Sequence, residues 1–374
     1  MAQQQNVLIT GGAGFIGSHV ADELIRHGHR VRALDLLSPQ VHNGASSRPS
    51  YLNRDVELIQ GDLRSPVAVE HALKGIDAVY HFAAAVGVGQ SMYEIEKYMN
   101  INALGTAVLL EALTKKDLGR LIVASSMSIY GEGLYRAPNG SRCTPADRPV
   151  QQLKSGRWEI FDDAGQCLEP IATTEDARPS LTSIYALSKY AQERMCLMVG
   201  RAYNIPTVGL RFFNVYGPRQ ALSNPYTGVL AIFASRLLND HPPMIFEDGK
   251  QRRDFVSVYD IARACRLALE VPQAAGSVFN IGSGEPITIR EVAARMGQLL
   301  GRDDIEPQIT HRYRAGDVRH CFADISAARS CLGYRPEVSF ARGLEDLASW
   351  LEGQLADDRV ESASAELAAR GLTL

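Results

Sequence analysis

The sequence is poor in the features that mark secreted, metal-rich, membrane or nucleic-acid-binding proteins. Its 374 residues include six cysteines and two tryptophans. No two cysteines form a Cys-x-x-Cys pair, so we expect reduced thiols and no metal site. No apolar run is long enough to span a bilayer, and the first residues lack the basic and apolar segments of a signal peptide. A net charge of −3 gives no electrostatic reason to bind nucleic acid or a membrane surface. We therefore expect a cytoplasmic globular protein.

What is present is an ordinary composition with a regular alternation of strand-like and helix-like segments. Hydrophobic residues make up 45% of the chain and charged residues 22%, and the length suits two domains or one large α/β unit. Apolar runs at 7–9, 31–34, 56–59, 78–82 and 121–124 alternate with segments of helical spacing. This alternation predicts an α/β fold with a doubly wound parallel sheet and right-handed crossovers.

The first apolar run leads into a glycine-rich turn, Thr10-Gly-Gly-Ala-Gly-Phe-Ile-Gly17. Strand, glycine turn and helix in this order are the context of a dinucleotide-binding turn. Gly11 can make the tight turn, Gly14 lets the backbone approach a pyrophosphate, and Gly17 permits close packing of helix and strand. The helix amino terminus offers N–H groups and the positive end of a dipole to the phosphates. A plain structural turn is the alternative.

Carboxylates and small residues follow the next strands. Asp35 ends the second apolar run, eighteen residues after Gly17; a carboxylate there accepts hydrogen bonds from a ribose diol and repels a 2′-phosphate, which predicts NAD rather than NADP. Asp62 can bond an adenine amino group, cap the helix that begins near Pro66, or do both. The small residues 83–85 after the fourth run leave room for a ligand.

Hydroxyl and amine groups with catalytic chemistry come next. Ser125 and Ser126 end a central strand, although taken alone such residues are more often part of a turn. Tyr185 and Lys189 are four residues apart in a helical pattern and so share a face. A cation beside a phenol lowers its pKa, which would make Tyr185 a general base near neutral pH. A solvated helix surface is the alternative for this pair.

Residues 132–180 interrupt the alternation and are predicted to be an insertion. We expect a β-hairpin around Trp158-Glu-Ile-Phe161 and Cys167-Leu168. Cys143 and Cys167 alone do not supply the four ligands that a closed zinc site needs.

The last third of the chain predicts further helices and a basic cluster. Helices are expected at Val229–Leu238, Val258–Leu269 and Ser339–Asp357, and the segment after Arg359 is expected to fray. Arginines late in the chain suit the diphosphate of a nucleotide ligand, although a solvated surface is the alternative for each. The cluster contains Arg312, Arg314, Asp317 and Arg319.

Taken together, these motifs resemble those of the extended short-chain dehydrogenase/reductase family, specifically its nucleotide-sugar epimerases and dehydratases. The resemblance runs from Val7 to about Leu347 and is interrupted by the insertion. It implies a Rossmann-type sheet with a smaller α/β substrate-binding domain, NAD as cofactor, and a UDP- or dTDP-linked sugar as substrate. It also implies a homodimer formed through the helices at 98–113 and 185–201. The implied domains are residues 1–215 for NAD and mainly 216–350 for the sugar nucleotide, with 258–282 partly returning to the first domain and 351–374 as a tail.

The resemblance implies a role for each matching residue. Ser126 matches the Ser/Thr that bonds the reacting sugar oxygen, Tyr185 matches the acid/base, and Lys189 matches the lysine that bonds the nicotinamide ribose and tunes the tyrosine. The residues implied to contact the cofactor are Gly11, Gly14, Phe15, Ile16, Gly17, Asp35, Asp62, Leu63, Phe82, Ala83, Ala84, Asn102, Tyr185 and Lys189. Those implied to contact the sugar nucleotide are Ser126, Asn214, Arg253, Arg314 and Asp317.

The two residues after Ser126 limit which of the family's reactions the resemblance implies. The family's 4,6-dehydratases have an Asp-Glu pair where this chain has Met127 and Ser128, so the resemblance favours C4 epimerisation through a 4-keto sugar. Three segments, 86–91, 126–135 and 218–226, resemble the dTDP-L-rhamnose 4-epimerase group, which makes dTDP-6-deoxy-L-talose for surface polysaccharide. A UDP-hexose or UDP-hexuronate 4-epimerase is the alternative. A net reductase or dehydratase and a non-catalytic NAD sensor are less favoured, the sensor because Ser126, Tyr185 and Lys189 are all present.

Overall fold

The computed structural model describes residues 4–42, 47–222, 224, 228–314, 316–352, 358 and 360–373. Ser223, Pro225 and Tyr226 of the segment 218–226, and residues 353–357 of the predicted last helix, lie outside the described residues. Within the described ranges no helix is long and apolar enough to cross a membrane.

The strands are, in chain order, β1 (Asn6–Thr10), β2 (Arg30–Asp35), β3 (Glu57–Gln60), β4 (Ala78–His81), β5 (Arg120–Ser126), β6 (Leu134–Arg136), β7 (Arg142–Cys143), β8 (Glu169–Ile171), β9 (Thr207–Phe212), β10 (Asn214–Tyr216), β11 (Met244–Ile245), β12 (Arg252–Ser257), β13 (Val278–Ile281), β14 (Pro286–Thr288), β15 (Gln308–Ile309) and β16 (His320–Cys321). The α-helices are α1 (Phe15–Arg26), α2 (Pro66–Ala72), α3 (Val88–Ser91), α4 (Ile95–Tyr98), α5 (Gly105–Leu113), α6 (Val150–Lys154), α7 (Ile184–Ala202), α8 (Val229–Leu238), α9 (Val258–Glu270), α10 (Ile289–Leu299), α11 (Phe340–Leu351) and α12 (Val360–Ala369), with a π-helix at Met99–Leu104 between α4 and α5.

A seven-stranded parallel sheet organises the molecule, in the order β13-β9-β5-β4-β1-β2-β3. Thr10, the last residue of β1, pairs with Leu34 of β2 and His81 of β4. The carboxyl ends of these strands therefore lie level at one edge. The strand order reverses between β1 and β4, and open α/β sheets bind ligands at such a reversal.

Helices cover both faces of this sheet. Successive side chains of each buried strand point to opposite faces and pack into two separate cores. Val7 and Ile9 of β1 pack into a core that includes α1 and α9, whereas Leu8 packs into a second core with α2, α5 and α7. The predicted α/β fold, a Rossmann-type doubly wound parallel sheet, is confirmed.

A smaller α/β unit is built from later parts of the chain. Strands β10, β12 and β14 form a sheet in which β16 also pairs with β12, and β11 pairs with β15. Its core joins α8, α10 and α11 through side chains such as Phe233, Met296 and Leu347. Helix α8 has the bounds that the apolar spacing predicts.

The insertion folds as a small sheet with a hairpin. Strands β7, β6 and β8 are antiparallel neighbours. Phe161 pairs with Cys167, and the Leu168 N–H donates to the Ile160 carbonyl over 2.8 Å. The predicted hairpin is therefore confirmed.

The prediction that the chain frays after Arg359 is wrong. Residues 360–369 form α12, and Ala363 and Leu367 on one side of it are 8% and 6% exposed. Leu367 packs against a distant part of the chain, since a Cβ placed on Gly89 would lie 3.4 Å from both Leu367 methyl groups.

Candidate active site

A cavity of about 700 Å³ is lined by residues from the carboxyl edge of the central sheet and from the smaller unit. It brings together the residues to which the resemblance assigns a role, with the exception of Asn102. Arg312 and Arg319 of the predicted basic cluster do not line it, and Arg319 is instead buried in ion pairs with Glu247 and Asp248. The lining residues among those predicted are Gly11, Gly14, Phe15, Ile16, Gly17, Asp35, Asp62, Leu63, Phe82, Ala83, Ala84, Ser126, Tyr185, Lys189, Asn214, Arg253, Arg314 and Asp317.

The glycine turn is fixed by close backbone contacts. Gly11 has a φ of +73°, and a Cβ there would lie 2.9 Å from the Ala83 nitrogen. A Cβ on Gly17 would lie 2.3 Å from the Gly11 oxygen, so helix α1 approaches the turn as closely as the sequence predicts. Gly14 precedes α1 as its N-cap and supplies no side-chain cap. The N-terminus of α1 therefore faces the cavity with a positive dipole end, which fits a pyrophosphate.

Asp35 and Asp62 lie at the strand ends as predicted, each with a protein partner. The Asp35 carboxylate accepts from the Ala13 N–H over 3.0 Å and from the Leu37 N–H over 2.9 Å. This carboxylate is thereby held against the turn and at the cavity wall, where it fits a ribose diol. Asp62 instead pairs with Arg64 over 2.6 Å, and Ser65 caps α2. The capping role considered for Asp62 is therefore wrong.

Asn102 lies behind the cavity wall, fully buried in the π-helix. Its Oδ1 accepts from the Ala85 N–H over 2.7 Å, and its Nδ2 donates to the Ala85 carbonyl and to the Ser188 hydroxyl. Both ends of the amide are already bonded to protein groups, so this position does not support the predicted contact with the cofactor. Asn102 fixes the Ala85 backbone instead.

Tyr185 and Ser126 lie at the junction of β5 and α7. The Ser183 hydroxyl caps α7 by accepting from the Ala186 N–H over 3.1 Å, and the Ser91 hydroxyl accepts from the Tyr185 N–H over 3.0 Å. Burial raises the pKa of Tyr185, while a hydrogen bond with Ser126 acts in the opposite direction. The expectation of a lowered pKa for Tyr185 is therefore wrong, because the cost of placing a phenolate in a buried site outweighs the hydrogen bond with Ser126.

Lys189 belongs to a buried hydrogen-bond network that the sequence analysis missed. Its Nζ donates to the Gln192 Oε1 over 2.8 Å, and the Gln192 amide nitrogen lies 3.1 Å from the His81 Nε2. The other ring nitrogen of His81 is 2.9 Å from the Thr10 hydroxyl at the start of the glycine turn. Burial lowers the pKa of Lys189 to about 8, and burial followed by the charge of Lys189 lowers the pKa of His81 to about 3. The network thus links Lys189 to the glycine turn through a neutral histidine.

Two arginines and one aspartate face the opposite part of the cavity. Arg314 pairs with Asp317 over 2.9 Å, and Arg253 lies 3.6 Å from the same carboxylate. Burial opposes ionisation of Asp317, but the arginines outweigh it and the pKa is lowered. The three side chains carry a net positive charge, which suits a diphosphate. The Arg314 guanidinium also lies 4.4 Å from the centroid of the Phe246 ring, at the edge of an apolar wall that includes Phe233 and Ile245.

Four buried polar atoms on the cavity wall have no hydrogen-bond partner among the residues that the structure describes. They are Ser125 Oγ, Asn214 Oδ1, Gln220 Oε1 and Gln251 Oε1. A buried polar atom without a partner costs about 1–3 kcal/mol, so such atoms usually meet a ligand or water. Their position fits a polar ligand that occupies the cavity.

Gln192 and α12 were not predicted to belong to the site, although the spacing of residues in the sequence carried a signal for each. Gln192 follows Lys189 by three residues in a predicted helix, so the helical spacing placed both on one face. The cavity-facing residues of α12 are Val360, Ala363, Ser364 and Leu367. Their spacing of three, four and seven residues was a signal, but the small and polar composition of the segment hid it.

Comparison with known proteins gives a consistent result. The sequence model of the NAD dependent epimerase/dehydratase family matches residues 7–154 and 158–282. A dTDP-L-rhamnose 4-epimerase of Burkholderia thailandensis is 35% identical over 356 residues, which cover 94% of this chain and 96% of the relative.

Solved structures with nucleotide sugars bound are also similar. The UDP-glucose 4-epimerase of Thermotoga maritima, solved with UDP-glucose, has a TM-score of 0.75 and 31% identity, and the match covers 93% of this chain and 98% of that one. The UDP-glucuronic acid 4-epimerase of Bacillus cereus, in complex with UDP-glucuronic acid and NAD, has a TM-score of 0.75 and 29% identity, and the match covers 93% of this chain and 99% of that one.

Proposed function

Because this chain belongs to the NAD dependent epimerase/dehydratase family and is an NAD-dependent nucleotide-sugar 4-epimerase, we propose that it converts dTDP-L-rhamnose into dTDP-6-deoxy-L-talose. The observation that carries this choice is the likeness, over almost the whole chain, to the dTDP-L-rhamnose 4-epimerase of Burkholderia thailandensis. The segments 86–91 and 126–135, which line or border the cavity, add to it. The product would supply surface polysaccharide, in keeping with the group that these segments resemble.

The proposed reaction inverts C4 without net oxidation. Tyr185 takes the proton of the C4 hydroxyl and returns it after the 4-keto sugar has turned over. Ser126 bonds the same oxygen, and Lys189 holds the nicotinamide ribose and supplies positive charge beside the phenol. NAD supplies the acceptor and then the donor of the hydride at C4. Burial raises the pKa of Tyr185. A cationic neighbour in the bound state favours the phenolate and so acts against this rise.

The residues proposed to hold the two ligands divide the cavity. The N-terminus of α1 would hold the NAD pyrophosphate, and Asp35 would hold the adenosine ribose. The diphosphate of the sugar nucleotide lies at Arg253 and Arg314, and its base lies against the apolar wall near Phe246. Support comes from the net positive charge of the arginine cluster.

A UDP-hexose or UDP-hexuronate is the second candidate substrate. The solved relatives from Thermotoga maritima and Bacillus cereus are named for UDP-glucose and UDP-glucuronic acid. Dehydration is disfavoured because Met127 and Ser128, which both line the cavity, lack the acid and base that this reaction needs.

One assay tests the substrate. The purified protein is incubated separately with dTDP-L-rhamnose, UDP-glucose and UDP-glucuronate, and the C4 proton is followed by NMR without added reductant. We expect a C4 epimer from dTDP-L-rhamnose and retained NAD in the protein. An epimer from only a UDP-sugar would replace the proposed substrate by the second candidate, and no epimer from any sugar would contradict the proposed function.

A Tyr185→Phe variant tests the proposed acid/base. Turnover is expected to fall by about 100-fold or more, because a positioned acid/base contributes on that order. The NAD content of the purified protein should be unchanged. Full turnover in this variant would contradict the mechanism even if the substrate assignment held.

We also propose that two chains associate through the segment 98–113 and α7. Exposed apolar side chains on these segments include Leu104, Leu187 and Met198. Sedimentation velocity of a Leu187→Glu, Met198→Glu double variant should show a monomer where the wild type is a dimer. Leu238→Glu, which alters an exposed leucine of α8, is the matched control and should leave the dimer intact.

A further inference from the structure

The C-terminal helix turns one side toward the cavity. Val360, Ala363, Ser364 and Leu367 of α12 recur with helical spacing, and all four line the cavity together with Leu372. Ala363 and Leu367 are buried, whereas Ala365 and Ala368 on the other side are exposed. A helix this short is ordered by the surface on which it packs, and part of that surface is the cavity.

One side of this contact is the short helix α3, which follows β4 of the central sheet, together with the turn after it. Leu367 packs over Gly89, where a Cβ would lie 3.4 Å from both of its methyl groups. The Arg370 guanidinium lies 4.3 Å from the centroid of the Tyr93 ring, a cation–π contact. The segment is thus attached to the unit that carries the glycine turn.

The other side of the contact is the smaller unit. Arg236 of α8 has a buried side chain and pairs with Asp358 over 3.1 Å and with Glu361 over 3.0 Å. His241 lies 2.7 Å from the same Asp358 carboxylate. Near the chain end, Thr373 forms an antiparallel bridge with Arg314, a residue proposed to contact the diphosphate. Residues 360–373 therefore connect both units across the cavity.

We propose that residues 360–373 form a wall of the nucleotide-sugar cleft and help to determine which sugar nucleotide is bound. This inference rests on the proposed function for the identity of the ligand. The wall lies between Gly89 of α3 and the bridge at Arg314, so a sugar nucleotide held at Arg314 extends alongside it. Ala363, Ser364 and Leu367 limit the space available to that ligand.

A matched pair of substitutions tests the wall. Ala363→Gln adds bulk on the cavity side of α12, and Ala365→Gln makes the same change on its exposed side, so the helix propensity changes equally. We expect the Kd for dTDP and for UDP, measured by calorimetry, and the KM for the sugar nucleotide to rise at least tenfold in Ala363→Gln. Both constants should stay within twofold in Ala365→Gln. NAD content and Tm should match in the two variants.

A second substitution covers the case in which Ala363→Gln fails to fold. Leu367→Ala removes a cavity-facing side chain without adding bulk, and we expect a three- to tenfold rise in the Kd for dTDP. Wild-type Kd values in both cavity-side variants would overturn the proposal, as would a wild-type protein that binds neither dTDP nor UDP. Absence of C4 epimerisation would overturn the proposed function alone, because the difference in nucleotide binding between Ala363→Gln and Ala365→Gln is measured without turnover.

Discussion

Gln192 is the residue that determines the surroundings of the Lys189 ammonium. The amine is fully buried, and its Nζ donates to the Gln192 Oε1 over 2.8 Å. Nearby titratable groups are Glu193 and Cys196 on the same helix and His81 on β4. Because burial already lowers the pKa of Lys189 to about 8, a change in this one hydrogen bond should move the charge of Lys189 across the working pH range.

Substitutions of Gln192 should therefore shift the alkaline limb of activity in opposite directions. Gln192→Leu removes the acceptor and should lower the apparent alkaline pKa of kcat/KM by about one unit, which corresponds to about 1.4 kcal/mol. Gln192→Glu adds a negative charge and should raise it. The same changes at Gln298, an exposed glutamine of α10, should leave the profile unchanged. Equal shifts of one sign in both Gln192 variants would show that Gln192 acts only through packing.

His81 should make the folded state sensitive to mild acid. Its pKa falls from 6.5 to about 3 on burial, so below pH 6.5 the unfolded chain binds a proton that the folded chain does not. Stability is then lost as the pH falls, by about 1.4 kcal/mol per unit and about 2.7 kcal/mol over two units. Urea unfolding between pH 7 and about pH 4.5 should show a steeper loss in the wild type than in His81→Gln. His71→Gln, at an exposed histidine, should keep the wild-type slope.

At the scale of single elements, two glycines of the turn meet different requirements: Gly17 is needed for close packing, and Gly14 is needed for room beside the ligand. A Cβ on Gly17 meets the Gly11 oxygen at 2.3 Å and the Gly12 Cα at 2.7 Å. Among the residues that the structure describes, a Cβ on Gly14 meets only the Gly11 oxygen, at 3.3 Å. Gly17→Ala should lower Tm by several degrees and abolish NAD binding. Gly14→Ala should leave Tm nearly unchanged and still weaken NAD binding, because its Cβ would project toward the pyrophosphate. A large loss of Tm in Gly14→Ala would contradict this division.

The elements that the sequence predicts well are those whose signal is local. The glycine turn and α8 follow from spacing within a few residues, and the hairpin at Phe161 and Cys167 follows from its composition. Helix α12 is missed because its burial depends on Gly89 and Arg236, which are far away in the chain. The same reason explains the Tyr185 pKa: the Lys189 spacing is visible in the sequence, but the burial that dominates the pKa is not.

A sequence motif can place a residue near the cavity without giving it the role that the motif predicts. Asn102 shares a sequence motif with true cavity residues, yet its amide is bonded to Ala85 and Ser188 behind the wall. Spacing on a helix places a residue on a face, but it does not show whether that face meets a ligand or the protein interior. The roles of the residues that do line the cavity remain predictions for the substitutions above.

At the scale of the whole molecule, the insertion is joined to the smaller unit by a buried network of charges. Arg319 has a fully buried side chain and pairs with Glu247 over 3.0 Å and with Asp248 over 2.6 Å. Arg148 of the insertion pairs with the same Glu247 over 2.8 Å and with Glu132 over 3.1 Å. The network also reaches the cavity, because Arg148 donates to the Asp317 carbonyl and Arg253 donates to the Arg319 carbonyl. The insertion therefore supports the backbone that carries Asp317.

Removing Arg319 should destabilise the molecule far more than removing an exposed arginine of the insertion. Arg319→Met leaves buried Glu247 without one of its partners, and breaking a buried pair costs about 3–5 kcal/mol because a charge remains uncompensated. Arg136→Met breaks the pair with Glu169, in which both side chains are more than half exposed, and should cost less than about 1 kcal/mol. Urea unfolding at neutral pH measures both changes. Equal midpoints in the two variants would mean that water or a neighbouring cation compensates Glu247, and that the insertion is not held to the site by this network.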